Sequence, residues 1–85
     1  MSEDGSQQAF IVSDRTGLTA AAMAHSLMSQ FPRVEFSTET YTFVDTVPKA
    51  QGVVNLVRAA ANRDGAPPLL FVTLADESIR EVFRL

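Results

Sequence analysis

Three short apolar runs constrain what this chain can become more than any other feature. Each passes through a few polar residues into a stretch with apolar residues three and four apart. The runs are Ala9–Ser13, Val34–Val44 (VEFSTETYTFV) and Leu69–Leu74 (LLFVTL). The first is short and consistent with a buried strand, the third is nearly continuous, as in a strand covered on both faces, and the second is rich in Thr, Val, Phe and Tyr with partial alternation. Between them, Ala20, Met23, Ala24, Leu27, Met28 and Phe31 make one amphipathic helix that Pro32 stops. Ala50, Val53, Val54, Val57, Ala60 and Ala61 make another, with Thr46 at its N-cap, Pro48 in its first turn and Gly65 just past its end. Gly52 weakens that helix by roughly 1 kcal/mol relative to Ala. Asp76 caps a third helix carrying Ile79, Val82 and Phe83 on one side.

The order is therefore strand, helix, strand, helix, strand, helix. Such alternation predicts an α/β domain, β-α-β-α-β-α, with a three-stranded parallel sheet joined by right-handed crossovers, a partial Rossmann-like unit. In a sheet of this kind every strand-to-helix loop leaves from the carboxyl edge. Ser13–Gly17, Asp45–Thr46 and Thr73–Asp76 are expected to face one crevice, where open α/β sheets bind ligands.

Composition bounds the partners. With 85 residues, 46% hydrophobic and 20% charged, the chain is one globular domain or part of one. A net charge of −3 and scattered basic residues exclude nonspecific nucleic-acid and anionic-membrane binding. With no Cys and one His, neither a disulfide framework nor a structural zinc site is expected. The leader MSEDGSQQ, residues 1–8, reads as a disordered polar tail without signal-peptide character, so a cytoplasmic domain over residues 9–85 is the expectation.

The loop SDRTG carries the candidate chemistry. It has neither the Gly-Lys of a Walker A loop nor the three glycines of a dinucleotide fingerprint. It does precede a helix N-terminus, with its free N–H groups and partial positive charge, among the hydroxyls of Ser13, Thr16 and Thr19. Arg15 adds a bidentate grip on an oxyanion. Asp14 opposes a bare phosphate, and suits Mg²⁺ or a hydroxyl instead. The competing structural account is that Asp14 or Thr16 caps the helix, Gly17 relieves the turn and Arg15 is solvated. Asp45 and Thr46 divide in the same way between a rim site and ordinary capping. Asp76 with Glu77 complements a helix dipole. His25 reads as a core-edge residue, and Met23 and Met28 as packing.

Three segments also carry a resemblance: FIVSDRTGLTAAAMAHSLMSQFP, YTFVDTVPKAQGVV and GAPPLLFVTLADESIREVF. Together they resemble, in order and spacing, the opening of the bacterial pyruvate, phosphate dikinase and phosphoenolpyruvate synthase regulatory proteins. The likeness covers Phe10 to Leu85. Arg15 stands where that family commonly has Gly or Ser, Ala21 where it has Glu, and Ser78 near another of its glutamates. The resemblance implies a bifunctional enzyme. One activity is an ADP-dependent Ser/Thr kinase acting on a threonine beside the target's catalytic histidine; the other is a phosphate-dependent pyrophosphorylase that removes the group. It implies phosphoenolpyruvate synthase or pyruvate, phosphate dikinase as partner, with SLMSQF and FVDT closer to the synthase-directed branch. It also implies ADP or ATP, inorganic phosphate and Mg²⁺, held mainly by a glycine-rich loop that these residues do not include.

The chain is accordingly expected to be an inactive N-terminal part of such an enzyme. Ser13, Arg15, Thr16, Gly17 and Thr19 would contact phosphate or target, with Asp14 as an accessory group. An open sheet edge and uncovered helix face are expected to drive homo-oligomerisation. A non-catalytic docking module for a protein or phosphate-bearing ligand stays open beside it. A phosphocarrier-like domain does not fit, because the loop holds no nucleophilic Cys or His.

Overall fold

The computed structural model describes residues 6–84. It contains β1 (Ser6–Ser13), α1 (Leu18–Met28), β2 (Glu35–Tyr41), α2 (Val47–Asp64), β3 (Leu69–Thr73) and α3 (Glu77–Glu81). The strands form one parallel sheet in the order β2-β1-β3. This is the α/β alternation expected, and it is consistent with a partial Rossmann-like unit.

Helix α2 follows from its sequence signals. The Thr46 hydroxyl accepts from the Lys49 N–H at its start, with Pro in the first turn, and Gly65 closes it at φ 71°.

Strand boundaries differ in two places from the expectation. Ser6, Gln7 and Gln8 were expected in the leader, but they pair with Glu35, Phe36 and Ser37 and extend β1. The polar β2 edge supplies backbone partners, so these residues need no apolar side chains to join the ladder. The remaining leader, residues 1–5, lies outside the described residues. β2 in turn ends at Tyr41 rather than Val44, because Phe43 turns into the left-handed region at φ 55°. β3 is covered on both faces only in part: Leu70 and Val72 pack on one core and Phe71 on the other, all half-buried, while Leu69 stays 40% exposed at the edge of the sheet.

The register divides side chains between two unequal faces. Phe10 and Val12 of β1 meet Val53, Val54, Val57 and Ala60 of α2, together with Val44, Leu74, Ile79 and Phe83. Tyr41 closes this core by stacking on Phe10, with ring centroids 5.8 Å apart. Burial, followed by the hydrogen bond to Glu39, pushes the Tyr41 hydroxyl up to about 12. The opposite face is thin. Ile11 packs on Ala20 and Ala24, whose small side chains at i and i+4 let α1 lie close to the sheet.

That geometry corrects the apolar face assigned to α1. Only its alanine side is buried and Met23 and Leu27 are turned outward; α1 ends at Met28, before Pro32, so Phe31 lies beyond the helix and is exposed too. Met28 alone of the two helix methionines packs against the core. His25 is exposed rather than at the core edge.

Val54 is fully enclosed between α2 and the central strand. Val54→Ala removes two buried methyl groups and leaves a void, for an expected loss of about 2 kcal/mol. Urea unfolding followed by circular dichroism measures it. A loss below about 0.5 kcal/mol, the range of surface substitutions, would mean that this face is not the core.

Candidate functional site

Because β2, β1 and β3 run parallel, their carboxyl ends bring three polar loops to one edge, and the backbone ties these loops together. The Ser13 carbonyl accepts from the Val44 N–H at 2.9 Å, and the Arg15 carbonyl accepts from the Phe43 N–H at 2.9 Å. On the other side the Asp14 N–H donates to the Thr73 carbonyl at 3.4 Å. The Asp14 Oδ2 accepts from the Ala75 N–H at 2.9 Å. The loop after β1 is thus anchored to both neighbours.

A recess of about 410 Å³ opens there, lined by Ser13–Thr19 and by Thr73, Leu74 and Ala75. Ser13 is buried at 4% exposure, and its Oγ accepts from the Arg15 N–H at 3.1 Å, which turns the loop outward. Arg15, Thr16 and Thr19 are exposed and Gly17 is buried. All the residues of the candidate phosphate loop therefore line one cavity.

The start of α1 is unlike the capping expected of it. Gly17 is the N-cap residue, at φ 83° and ψ 4°, and no side chain caps the helix. Its first turn holds no acidic residue. Asp14 does not cap it, because its carboxylate reaches across to β3's loop; Thr16 does not cap it either. The N–H groups of the first turn and the positive end of the helix dipole are left facing the recess with Arg15 beside them.

The other rim candidates are engaged in holding the fold. Asp45 pairs with Lys49 at 2.9 Å, and that hydrogen bond holds its carboxyl below the usual carboxylate range. Lys49 also donates to the Phe43 carbonyl at 3.4 Å. Thr46 caps α2. Asp76 accepts from the Ser78 and Ile79 N–H groups and from the Ser78 hydroxyl. The Ser78 hydroxyl bond, ahead of the two backbone bonds, lowers the Asp76 pKa. All three residues share the edge with Asp14 but none lines the recess.

Sequence reasoning met Phe43 only as a strand residue and as part of the FVDT segment, not as a site residue; the structure places it on this edge with a left-handed backbone and 55% exposure. Its place inside an apparent strand gave no warning. The same holds for Thr40 and Thr42, whose Cγ2 atoms lie where a side chain on Gly17 would meet them at 3.4 Å.

Fold and recess together define a parallel α/β domain with a polar recess at its first strand-to-helix loop. The kinase/pyrophosphorylase family model matches residues 9–85, and the chain belongs to that family. It is similar to proteins named as phosphoenolpyruvate synthase regulatory proteins. The one from Ectopseudomonas mendocina is 40% identical over 74 residues, covering 87% of this chain and 27% of that relative. The one from Pseudomonas putida strain W619 is 42% identical over 74 residues, with the same coverage of 87% and 27%. The one from Laribacter hongkongensis is 39% identical over 79 residues, covering 93% and 29%. The chain thus spans less than a third of these relatives' length. No solved structure matches it significantly.

Two measurements probe this edge. Gly17→Ala meets both a left-handed backbone and the Thr40 and Thr42 methyls, whereas Gly65→Ala at φ 71° meets nothing within 4 Å. Gly17→Ala should therefore cost more than the roughly 1–2 kcal/mol expected of Gly65→Ala from the backbone alone. Equal urea midpoints would show that the loop yields freely.

The second measurement is acid unfolding. The Asp45 and Asp76 carboxyls titrate lower in the folded chain than in the unfolded one. Their contribution is therefore present above about pH 4 and is lost as pH falls through the depressed folded values. The double variant Asp45→Ala/Asp76→Ala should start with a lower Tm near neutral pH and lose less of it on acidification. Parallel Tm–pH curves would contradict the assignment.

Proposed function

We infer that this chain supplies the carboxyl-edge rim of a bifunctional regulator of phosphoenolpyruvate synthase: an ADP-dependent Ser/Thr kinase and a phosphate-dependent pyrophosphorylase. The observation that carries this reading is the uncapped, acid-free start of α1 beside Arg15 in a chain of the kinase/pyrophosphorylase family. Of the three helix starts on this edge, α2 and α3 are closed by Thr46 and Asp76, and α1 is open to a ligand.

In the forward direction the β-phosphoryl group of ADP passes to a threonine hydroxyl, whose proton is released, and AMP leaves. In the reverse direction inorganic phosphate attacks the phosphothreonine phosphorus, and threonine and pyrophosphate are the products. Both reactions place a phosphoryl group or free phosphate between two partners, so positioning and charge neutralisation dominate. The recess suits that task. The N–H groups of the first turn of α1 and the Thr16 and Thr19 hydroxyls can donate to phosphate oxygens, and Arg15 can grip two of them.

Asp14 is the carboxylate of the recess, and Ala75 holds one of its oxygens. With the other it can orient the threonine hydroxyl or supply one ligand to Mg²⁺, the remaining ligands coming from phosphates and water. The recess has no glycine-rich cradle for a diphosphate chain. The main grip on ADP accordingly belongs to parts of the full-length enzyme beyond this chain's span, and the isolated chain is inactive. The reading includes a cytoplasmic location. Among the described residues no helix is long and apolar enough to cross a membrane. It also includes self-association through the exposed flank of Met23, Leu27, Phe31 and Leu69.

The test is a chimera in which this chain replaces the matching segment of the Ectopseudomonas mendocina relative. The chimera should transfer phosphate from ADP to phosphoenolpyruvate synthase, and reverse the transfer with inorganic phosphate. Asp14→Asn in the chimera, which can keep the bond to the Ala75 N–H but loses the charge, should slow both reactions at least about tenfold. A folded chimera without either activity, or one indifferent to Asp14→Asn, would refute the reading.

A further inference from the structure

Exposed large apolar side chains fall into two groups among the described residues, with Leu56 apart. Met23, Leu27, Phe31 and Leu69 flank the α1 face, and Leu18, Phe43 and Val47 stand on the carboxyl edge. Phe43 is the unusual member of the second group. A bulky side chain at φ 55° costs about 1–2 kcal/mol relative to an ordinary backbone, and glycine or asparagine would sit there with less strain. The strain does not serve to bury the ring, which is 55% exposed.

The surrounding contacts hold the backbone in that state from both sides. The Phe43 N–H is bonded to the Arg15 carbonyl and the Phe43 carbonyl accepts from Lys49, which Asp45 holds in turn. The Phe43 backbone is therefore fixed to the loop that carries Arg15, while its ring stays 55% exposed outside the lining of the recess. Strained residues that their surroundings keep in place cluster where ligands and partners are held.

We propose that Phe43 is the apolar anchor by which this rim docks a polypeptide segment of its target enzyme, beside the phosphate received at Arg15. The occupant is a polypeptide because of what accompanies the ring. Leu18 at 76% exposure and Val47 at 41% are aliphatic neighbours along the rim, and an aromatic ring with an arginine and an apolar surround is the make-up of protein-interface hot spots. The loop lacks the glycines of a diphosphate cradle, so nothing on this rim itself selects a nucleotide. The cationic Arg15 suits a segment carrying a phosphorylated side chain. This inference rests on the reading of the synthase as target, and adds to it the contact that selects the protein rather than the phosphate.

Binding of the 85-residue chain to immobilised phosphoenolpyruvate synthase tests it, using Phe43→Asn, which tolerates a left-handed backbone, and Phe43→Tyr, which keeps a ring. Phe43→Asn should weaken binding at least tenfold while leaving Tm unchanged or a few degrees higher, and Phe43→Tyr should bind within about threefold of the parent chain. Synthase binding that survives Phe43→Asn overturns the inference and leaves the functional reading standing. A fall in Tm above about 5 °C for Phe43→Asn makes the ring a structural element and overturns it as well. Saturable binding of ADP alone that Phe43→Asn abolishes would replace the polypeptide with a nucleobase. A folded parent chain that does not bind the synthase overturns the inference, while the activity of the chimera decides the functional reading separately.

Discussion

The structure depends on β1 pairing with both of its neighbours in the same direction. Seven residues of β1 pair with β2 and five with β3, so a single apolar strand sets the direction of the whole sheet. Parallel pairing forces each connection to cross back over a face, and leaves every strand exit on one edge. The site is a consequence of that edge. Ser13, Asp14 and Arg15 stand where the central strand ends, and their backbone groups and one carboxylate reach left to the Phe43 loop and right to the Ala75 loop. Each such bond contributes only about 0.5–1.5 kcal/mol net, yet together they remove the freedom that three separate loops would otherwise keep.

The two faces of the sheet then divide the labour. Valines of α2 and the side chains of α3 fill one side with a core able to hold β1 rigid. On the other side α1 comes close through Ala20 and Ala24, at the expense of burying little. Close approach fixes where the start of α1 lies relative to the end of β1, which matters more for an anion site than the area covered. The same economy leaves Met23 and Leu27 outside, since a helix that settles on two alanines cannot also turn its longer side chains inward. An apolar stripe wider than the surface beneath it is the result.

Much of this was legible in the sequence, because it depends on neighbours in the chain. Period changes located the elements, Thr46, Pro48 and Gly65 marked the limits of α2, and Asp76 marked the start of α3. Parallel topology followed from alternation, and with it the shared edge of Ser13–Gly17, Asp45 and Asp76. What was hidden depends on distant partners. The Asp14 carboxylate meets an N–H 61 residues away, so no local pattern could tell that it would leave the helix uncapped. Gln7 and Gln8 look like tail residues until β2 supplies their ladder. Phe43 sits in a run of strand-forming types, and only the bonds to Arg15 and Lys49 turn its backbone over. The exposure of Met23 is hidden for the same reason: periodicity shows which face is apolar, not how much of it a sheet will cover.

The departures from local rules gather at one place. Helix starts normally satisfy their own N–H groups, as α2 and α3 do, and bulky residues normally avoid the left-handed region. The loop after β1 breaks the first rule and the loop after β2 breaks the second, and a hydrogen bond between Arg15 and Phe43 joins the two. Sequences that fold well agree with local preferences almost everywhere and depart from them mainly where a ligand or partner must complete the structure. An open helix start lacks an anion, and a strained exposed ring lacks a surface to cover it. On the reading proposed above, a phosphorylated polypeptide would bring both at once, its phosphate at Arg15 and the N–H groups of α1 and its chain over Phe43. Because the two loops are joined through backbone, occupation of one would hold the other in place.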